Sequence, residues 1–502
     1  MTQSSYPVEH RVASQSELET DHPSKRVKYE SHPVRLDGAK DKSLAVPSHP
    51  LGVRPSGNAY TSTRNIKSNA GWFAILPDET LLQMLEYLEA PELLRLGATC
   101  KAIHAFSRAE ELWKALLIES SPTSLTWQGT WRSTLLGRSA TREPEISCLG
   151  LFSDTIHRPF HCAHIPLDPF ISNIPARNEI KRFDDLSREE FAESYTGEPF
   201  ILTEPVKSWP IYRNWSTEAL LRKYGHVVFR AEAVDWPLKT YADYMENSKD
   251  ESPLYLFDSR FVEKMGIEVG KDTPDSSYWI PDCFGEDLFA VLGKQRPDCR
   301  WLIVGPERSG STFHKDPNGT SAWNAVLRGS KYWIMFPSSS SLPPPPGVFV
   351  SSDQSEVTSP LSIAEWLLGF HAEARATPGC IEGICSTGEV LHVPSGYYHL
   401  VVNLEPSIAI TQNFVPESKL REVLEFLRTK PDQISGFPKD VVDPFILFSQ
   451  KLEEQFPGLL EVSANKKSSK GIKKTSWQAA VKKQDEDDAV FSFGFESEDE
   501  AG

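Results

Sequence analysis

Ser311-Thr312-Phe313-His314-Lys315-Asp316, taken together with His399 far downstream, is the stretch on which the reading of this chain turns. In an extended segment side chains alternate with period two, so a His-x-Asp triplet sets an imidazole and a carboxylate on the same side. A second imidazole delivered from another strand completes a facial set of two histidines and one carboxylate. Such a set grips one face of Fe(II) and leaves the opposite positions open for a co-substrate and oxygen. The triplet alone is a common accident, and the plain alternative is a polar turn at a strand end. Its weight comes from its surroundings.

Those surroundings read as short strands separated by turns. Pro317-Asn318-Gly319-Thr320 is a turn signal, followed by a strand over Trp323–Leu327, a tight turn at Arg328-Gly329-Ser330 and a strand over Lys331–Pro337. Further on come Glu389–Pro394, a turn at Ser395-Gly396-Tyr397-Tyr398, and strands over His399–Leu404 and Ile408–Phe414. Upstream, Phe200–Thr203, His226–Arg230, Pro253–Asp258 and Arg300–Pro306 add more, with a helix entered after Pro237. β-Branched and aromatic runs between Gly, Pro, Asn and Ser turns predict an antiparallel barrel or sandwich, with the metal-type residues at strand ends.

The blocks His314-Lys315-Asp316, Gly319-Thr320-Ser321-Ala322-Trp323-Asn324, Gly329-Ser330-Lys331 and Val393-Pro394-Ser395-Gly396-Tyr397-Tyr398-His399 resemble the Jumonji C (JmjC) family of Fe(II)- and 2-oxoglutarate-dependent oxygenases. Within it they are similar to the subgroup of the bifunctional arginine demethylase and lysyl hydroxylase once called the phosphatidylserine receptor. The similarity runs from about Ile165 to about Pro416. It implies a mainly β double-stranded β-helix (cupin or jelly-roll) and an enzyme, a 2-oxoglutarate-dependent dioxygenase that uses Fe(II), 2-oxoglutarate and O2. His314, Asp316 and His399 would be its metal ligands. The resemblance also implies that Tyr255, Asn324, Lys331 and Thr411 hold 2-oxoglutarate, with Ser311 or Thr312 adding a hydroxyl. A carboxylate in a partly dry pocket needs a fixed cation, and Lys331 is the candidate. The bland alternatives are a core tyrosine at 255 and an exposed strand lysine at 331. Asn413, two residues after Thr411, shares its strand face. In such enzymes hydroxylation of an N-methyl carbon gives a hemiaminal that collapses to formaldehyde, so hydroxylase and demethylase share one chemistry.

The rest of the chain bounds the function. At 502 residues, two or three domains are expected. No apolar run is long enough to span a bilayer, and the N-terminus lacks a secretory pattern. The 7 cysteines form no Cys-x-x-Cys pair, so a disulfide framework or zinc knuckle is not expected. A net charge of -16 argues against broad nucleic-acid affinity and is compatible with basic protein substrates, although much of it lies in the tail.

Residues 1–68 are Ser-, Pro- and His-rich and are expected to be disordered. Lys25-Arg26-Val27-Lys28 is either a nuclear import signal or a solvated charge run. From 69 to 120 the pattern is helical. Leu76-Pro77-Asp78-Glu79 opens a helix with a stripe of Leu81, Leu82, Leu85 and Leu88, a second starts at Glu92, and a third runs toward Leu112-Trp113-Leu116. This block resembles an F-box, which implies docking on the adaptor subunit of a cullin-type ubiquitin ligase. The alternative is a small helical bundle packed on the oxygenase domain.

Residues 121–164 form a connecting segment in which Trp127, Trp131, Leu135 and Leu136 look packed. His157, His161 and His164 lack a partner set at ligand spacing and read as packing histidines. The oxygenase domain spans 165–417. Inside it, 338–388 reads as a long insertion with a helix near Ile363–Ala374 and free loop thiols at Cys380 and Cys385. Residues 418–463 read as C-terminal helices, to which the family resemblance attaches a possible homodimer. Residues 464–502 read as a disordered, basic-then-acidic tail.

Two function classes follow. One is an oxygenase that hydroxylates or N-demethylates lysine or arginine side chains of nuclear proteins (histones or RNA-processing proteins), with an RNA hydroxylase as a variant and cytoplasmic presence left open. The other is a ubiquitin-ligase adaptor that uses the same fold to capture substrates. Both can hold at once.

Overall fold

Alternating apolar residues drive this chain into two facing sheets. In the computed structural model, residues 46–57, 64–122, 125–139, 141, 146–271, 273–339, 341–352 and 356–461 are described. The Lys25–Lys28 cluster and the 464–502 tail lie outside these residues. The early strands are β1 (Lys181–Phe183), β2 (Phe200–Leu202), β3 (Val228–Ala231), β4 (Val234–Pro237), β5 (Leu256–Asp258), β6 (Glu268–Val269) and β7 (Ser276–Tyr278). They are followed by β8 (Arg300–Gly305), β9 (Gly310–His314), β10 (Ser321–Arg328), β11 (Ser330–Phe336), β12 (Phe349–Val350) and β13 (Val357–Thr358). The last four are β14 (Ile381–Ser386), β15 (Val390–Val393), β16 (Tyr398–Asn403) and β17 (Ser407–Phe414).

The larger sheet has the order β1-β2-β15-β10-β17-β8-β5-β3-β4, and the smaller β14-β11-β16-β9. Strands β8, β9, β10 and β11 alternate between the two sheets, as do β14, β15, β16 and β17 with one another, which is the winding of a double-stranded β-helix. Ala322, Val326, Leu391 and Val393 of the larger sheet pack with Trp333, Met335, Cys385 and Val401 of the smaller in one buried cluster. The other face of the smaller sheet, Tyr332, Ile334, Phe336, Leu400 and Val402, is covered by Trp366 and Leu367 of the helix Ile363–Ala376. Period two thus gives every core strand two buried faces.

The helical N-terminal block holds α1 (Asp78–Leu85), α2 (Ala90–Gly97), α3 (Lys101–Phe106) and α4 (Glu110–Ser120). Asp78 and Glu79 complement the start of α1, and Glu89 with Glu92 forms a capping box on α2. The stripe expected from the sequence divides. Leu81 is 0% exposed and Leu85 is also buried, whereas Leu82 and Leu88 are only partly covered. The apolar surface left open is a different set: Trp72 at 88% exposure, Tyr87 at 90%, and Ile75, Met84 and Leu94.

This block joins the oxygenase sheets through the connecting segment, which carries α5 (Trp131–Leu135) and α6 (Asp154–His164). Trp127 meets Trp131 edge to face at 5.3 Å and Tyr244 at 5.0 Å, and Trp131 lies 5.8 Å from Trp236 of β4. The Trp131 Nε1 donates to both oxygens of Asp250 at 2.9 Å. The histidines of α6 stack on one another, as His157 does on His161, and His164 Nδ1 pairs with the Phe160 carbonyl. After the barrel, the helices Leu420–Thr429 and Pro444–Gln455 bury Val423, Leu427, Phe448 and Leu452 against Leu288, Phe289 and Val415.

Two expectations need correction. Residues 46–57 fall in the stretch expected to lack structure, yet Leu51 and Val53 are buried and Arg54 bridges to Phe152. A β-bridge to a distant partner leaves no local periodicity. Cys380 and Cys385 are free but buried: Cys380 sits in the connection just before strand β14, and Cys385 lies in that strand (Ile381–Ser386), which pairs with β11. Its sequence, Ile-Glu-Gly-Ile-Cys-Ser, lacks the aromatic and β-branched density that marks the other strands.

Candidate metal centre and co-substrate pocket

His314 ends β9 and His399 lies on β16, and the two are register partners across the smaller sheet. Their ring centroids are 4.1 Å apart. His314 Nδ1 pairs with the Thr312 carbonyl at 2.8 Å, and His399 Nδ1 with the Tyr397 carbonyl at 3.1 Å. A carbonyl can only accept, so each Nδ1 carries the proton and each Nε2 lone pair is free for a metal. Asp316 supplies the carboxylate of the set. It lies beyond the end of β9, extended at φ -63 and ψ 145, just before a turn over Pro317–Gly319. The extended backbone thus runs on past the strand end and brings the Asp316 carboxylate to the side of His314.

One ligand atom from each of His314, Asp316 and His399 lies within 4.8 Å of the others, and this is the only such group with metal-ligating spacing among the described residues. The buried Asp316 Oδ2 has no hydrogen-bond partner. Burial pushes the Asp316 carboxyl up to about 6, with His314 and the hydrogen bond from Asn413 pulling the other way. Burial and the neighbouring His314 hold the His399 imidazole well below its ordinary value. Two imidazoles and a carboxylate with an unpartnered buried oxygen form the donor set that suits Fe(II).

The second half of the site is a buried lysine. Lys331 is 0% exposed on β11, and its Nζ donates to Tyr255 Oη at 2.7 Å, Asn403 Oδ1 at 2.7 Å and Ser407 Oγ at 3.1 Å. All three partners are neutral, and burial pushes the ammonium down to about 7. A buried cation held by neutral acceptors fits the distal carboxylate of an anionic co-substrate.

Asn324 on β10 faces Thr411 on β17 in register, and its buried Oδ1 is unpartnered. The Thr411 hydroxyl donates to the Trp323 carbonyl at 2.9 Å and keeps its lone pairs. Asn413 shares that face and donates to Thr320 Oγ1 at 3.0 Å, and its amide helps to hold the Asp316 carboxyl down against the effect of burial. An irregularity in β9 sets Ser311 opposite Val401 and His314 opposite His399, so both fall on the inward face of the smaller sheet. The sequence reading did not find Asn403 and Ser407. Their signal was register: Asn403 pairs with Lys331 across β16 and β11.

Beside His314 opens a cavity of about 390 Å³ lined by Ser311, Thr312, Glu232, Glu251 and Arg308. Glu232 Oε1 accepts from the Tyr255 N–H at 3.1 Å, which ties the cavity wall to the co-substrate pocket.

Two facing sheets with two imidazoles, one carboxylate and a buried lysine define the class of a cupin-type metal-dependent oxygenase. Comparison with known proteins agrees. Residues 187–420 match a family model described as a cupin-like domain, and 73–119 match an F-box-like model. The chain is 38% identical over 434 residues to the arginine-specific demethylase JMJ22 of Arabidopsis thaliana, covering 83% of this chain and 84% of the relative. It is 34% identical to the bifunctional arginine demethylase and lysyl-hydroxylase psr-1 of Caenorhabditis elegans, over 57% of this chain and 72% of that one. It is 24% identical to the 2-oxoglutarate and iron-dependent oxygenase JMJD4 of Gallus gallus, over 52% of this chain and 65% of that one. The chain belongs to the JmjC family of Fe(II)- and 2-oxoglutarate-dependent oxygenases, and it carries an F-box-like helical domain. No helix among its described residues is long and apolar enough to cross a membrane.

Proposed function

We propose that this chain hydroxylates or N-demethylates cationic lysine or arginine side chains of proteins, with His314, Asp316 and His399 as the metal ligands. Bound Fe(II) with 2-oxoglutarate and O2 supplies oxidation of an unactivated C–H bond, with loss of CO2 to give succinate. The chain's own residues do the rest. The two Nδ1–H bonds hold each imidazole with Nε2 toward the ion, and Asn413 orients the Asp316 carboxylate. Lys331 and the Tyr255 phenol take the distal carboxylate of the co-substrate, with Asn324, Thr411 and Ser311 lining the space beside it. The apolar packing of Trp333, Val401 and Leu391 excludes water from the same interior.

The observation that carries the substrate class is the cavity next to His314, where Glu232 and Glu251 stand against one guanidinium, Arg308. Carboxylates there favour a cationic side chain and disfavour a polyanion, which weighs against the RNA alternative. The names of JMJ22 and psr-1 point the same way for those relatives. The test is mass spectrometry of Lys- and Arg-rich peptides incubated with the protein, Fe(II) and 2-oxoglutarate, with His314→Ala as control. A gain of one oxygen marks hydroxylation, and a loss of one methylene marks demethylation. No change, with succinate at the control level, would count against the proposal.

A second reading, attachment to a cullin-type ubiquitin ligase, is favoured by the exposed Trp72, Ile75 and Tyr87 on the F-box-like block. An adaptor helix laid on that apolar surface would bury it. Nuclear location rests on the Lys25–Lys28 cluster alone, and imaging the chain with Lys25, Arg26 and Lys28 changed to alanine tests it. Self-association through the C-terminal helices remains part of the proposal, and sedimentation of the full chain tests it.

A further inference from the structure

Two residues past Asp316, Asn318 is 2% exposed and sits in the left-handed region at φ 56 and ψ 22. Its carboxamide copies a backbone pairing. Asn318 Nδ2 donates to the Ser435 carbonyl at 2.9 Å, and its Oδ1 accepts from the Ser435 N–H at 3.0 Å. Ser435 lies in the connection between the helices Leu420–Thr429 and Pro444–Gln455, 117 residues from Asn318 in sequence. The next residue, Gly319 at φ 66, lies 3.7 Å from Phe426 of the first of these helices, measured from where a Cβ would stand. Asparagine tolerates this backbone conformation, and its amide matches a peptide group donor for acceptor.

The turn that carries Asp316 is therefore bonded on two sides. Toward the barrel, Thr320 Oγ1 donates to the Pro317 carbonyl at 2.9 Å, and Ser395 Oγ donates to the Gly319 carbonyl at 2.6 Å. Toward the C-terminal helices there is the Asn318–Ser435 pair. The C-terminal helices in turn pack on Leu288, Phe289 and Val415. The backbone there is fixed by Asp287, whose Oδ1 accepts from the Phe289 and Val415 N–H groups at 3.1 and 2.9 Å. Asp316 Oδ2 has no partner of its own, so the direction of the carboxylate depends on this turn and on Asn413.

We infer that Asn318 is a positioning residue for the metal carboxylate, and that through it the C-terminal helices form part of the metal centre. This rests on the reading of Asp316 as a metal ligand. A peripheral helical pair usually contributes stability only. Here it holds the one ligand that no strand holds.

The test is Co(II) titration of the metal-free full-length chain, followed by the visible absorption of the bound ion. Asn318→Gly removes both bonds without straining the left-handed backbone. It should weaken Co(II) binding by about tenfold or more, the scale for groups that orient a ligand. Thermal unfolding of the metal-free protein should move little. Ser435→Pro removes one of the two bonds from an exposed loop, after Ile434 at the extended φ -68 and ψ 132 that proline requires of its predecessor. It should weaken binding in the same direction. Ser435→Ala, which keeps both backbone groups, should bind like the parent chain. Co(II) affinity within twofold of the parent in both Asn318→Gly and Ser435→Pro, alongside loss of binding in Asp316→Ala, would overturn the inference and leave the metal reading standing. Unchanged binding in Asp316→Ala would overturn both. A fall in affinity matched by an equal fall in the stability of the metal-free chain would assign the bridge to folding instead.

Discussion

The Lys331 ammonium on β11 donates to the Tyr255 phenol at 2.7 Å, and no carboxylate stands among its hydrogen-bond partners. The two residues arrive from different sheets and meet inside the barrel. Burial pushes this ammonium down to about 7, from an ordinary value of 10.5. Between those values the unfolded chain holds a proton that the folded chain has released. Without co-substrate, then, Lys331 makes the fold more stable as pH rises through this window, and less stable as pH falls toward 7. An anionic co-substrate restores the charge and takes up a proton. Affinity for 2-oxoglutarate should therefore fall by about tenfold per pH unit above pH 7, until the pKa of the bound state is reached. Calorimetry in buffers of different ionisation enthalpy reads the proton directly. Binding that is flat from pH 7 to 9, or proton release, would show that Lys331 is not the partner. Lys331→Met should abolish the pH dependence along with most of the affinity.

Asn413 donates to Thr320 Oγ1 and its amide favours the charged form of the nearby Asp316 carboxyl. Asn413→Ala should lower metal affinity by about 10–100-fold, as expected for a group that orients a ligand. Asn413→Asp places a second carboxylate beside Asp316 and should raise the pH needed for metal binding. A Co(II) titration across pH 6 to 8 checks both variants. Parent-like curves would remove Asn413 from the metal's surroundings.

Glu251 lines the cavity beside His314, and its Oε1 accepts from Ser362 Oγ at 2.6 Å. Glu251→Gln keeps the shape and that acceptor but loses the charge. A lost charge-assisted hydrogen bond costs about 1.5–3 kcal/mol, so KM for a basic peptide should rise by about 10–100-fold. Uncoupled turnover of 2-oxoglutarate in the absence of peptide should stay at the parent rate. If KM does not change, the cationic side chain is read elsewhere.

On the F-box-like block, buried and exposed leucine-type positions separate two experiments. Tyr87→Asp changes a residue that is 90% exposed, so the melting temperature should hold while capture of the ligase adaptor subunit is lost. Leu81→Ala empties a fully buried position in α1 and should cost about 2–5 kcal/mol of stability. Adaptor binding that survives Tyr87→Asp and Trp72→Asp together would deny this surface its partner.

Trp131 Nε1 donates to both oxygens of Asp250 where the helical block meets the oxygenase sheets. Trp131→Phe keeps the ring but leaves that carboxylate short of a donor. It should destabilise the chain by about 1–3 kcal/mol, measured by chemical denaturation. A change below about 0.5 kcal/mol would mean that the Tyr244 hydroxyl, which donates to the same Asp250 at 2.8 Å, suffices.

The sequence by itself determined most of the strands from Arg300 onward outside the 338–388 insertion, the buried Leu81 and Leu85 of the N-terminal stripe, and the residue types of the site. The reason is local: period-two alternation, turn residues and the His-x-Asp spacing are all readable within a few positions. Resemblance to the JmjC family added Tyr255, Asn324 and Thr411, which spacing alone leaves as core residues. Tertiary structure decided everything that depends on register and long-range pairing. It made His399 the partner of His314, put Asn403 and Ser407 on Lys331, and turned Ile381–Ser386 into a strand by supplying β11 as its neighbour. It buried Leu81 inside α1 and left Tyr87 open in the turn just past that helix. It also brought Ser435 to Asn318, a pairing between two loops with no periodic signal in either. A side chain's chemistry is written in the sequence, but the acceptor it finds depends on where the chain returns.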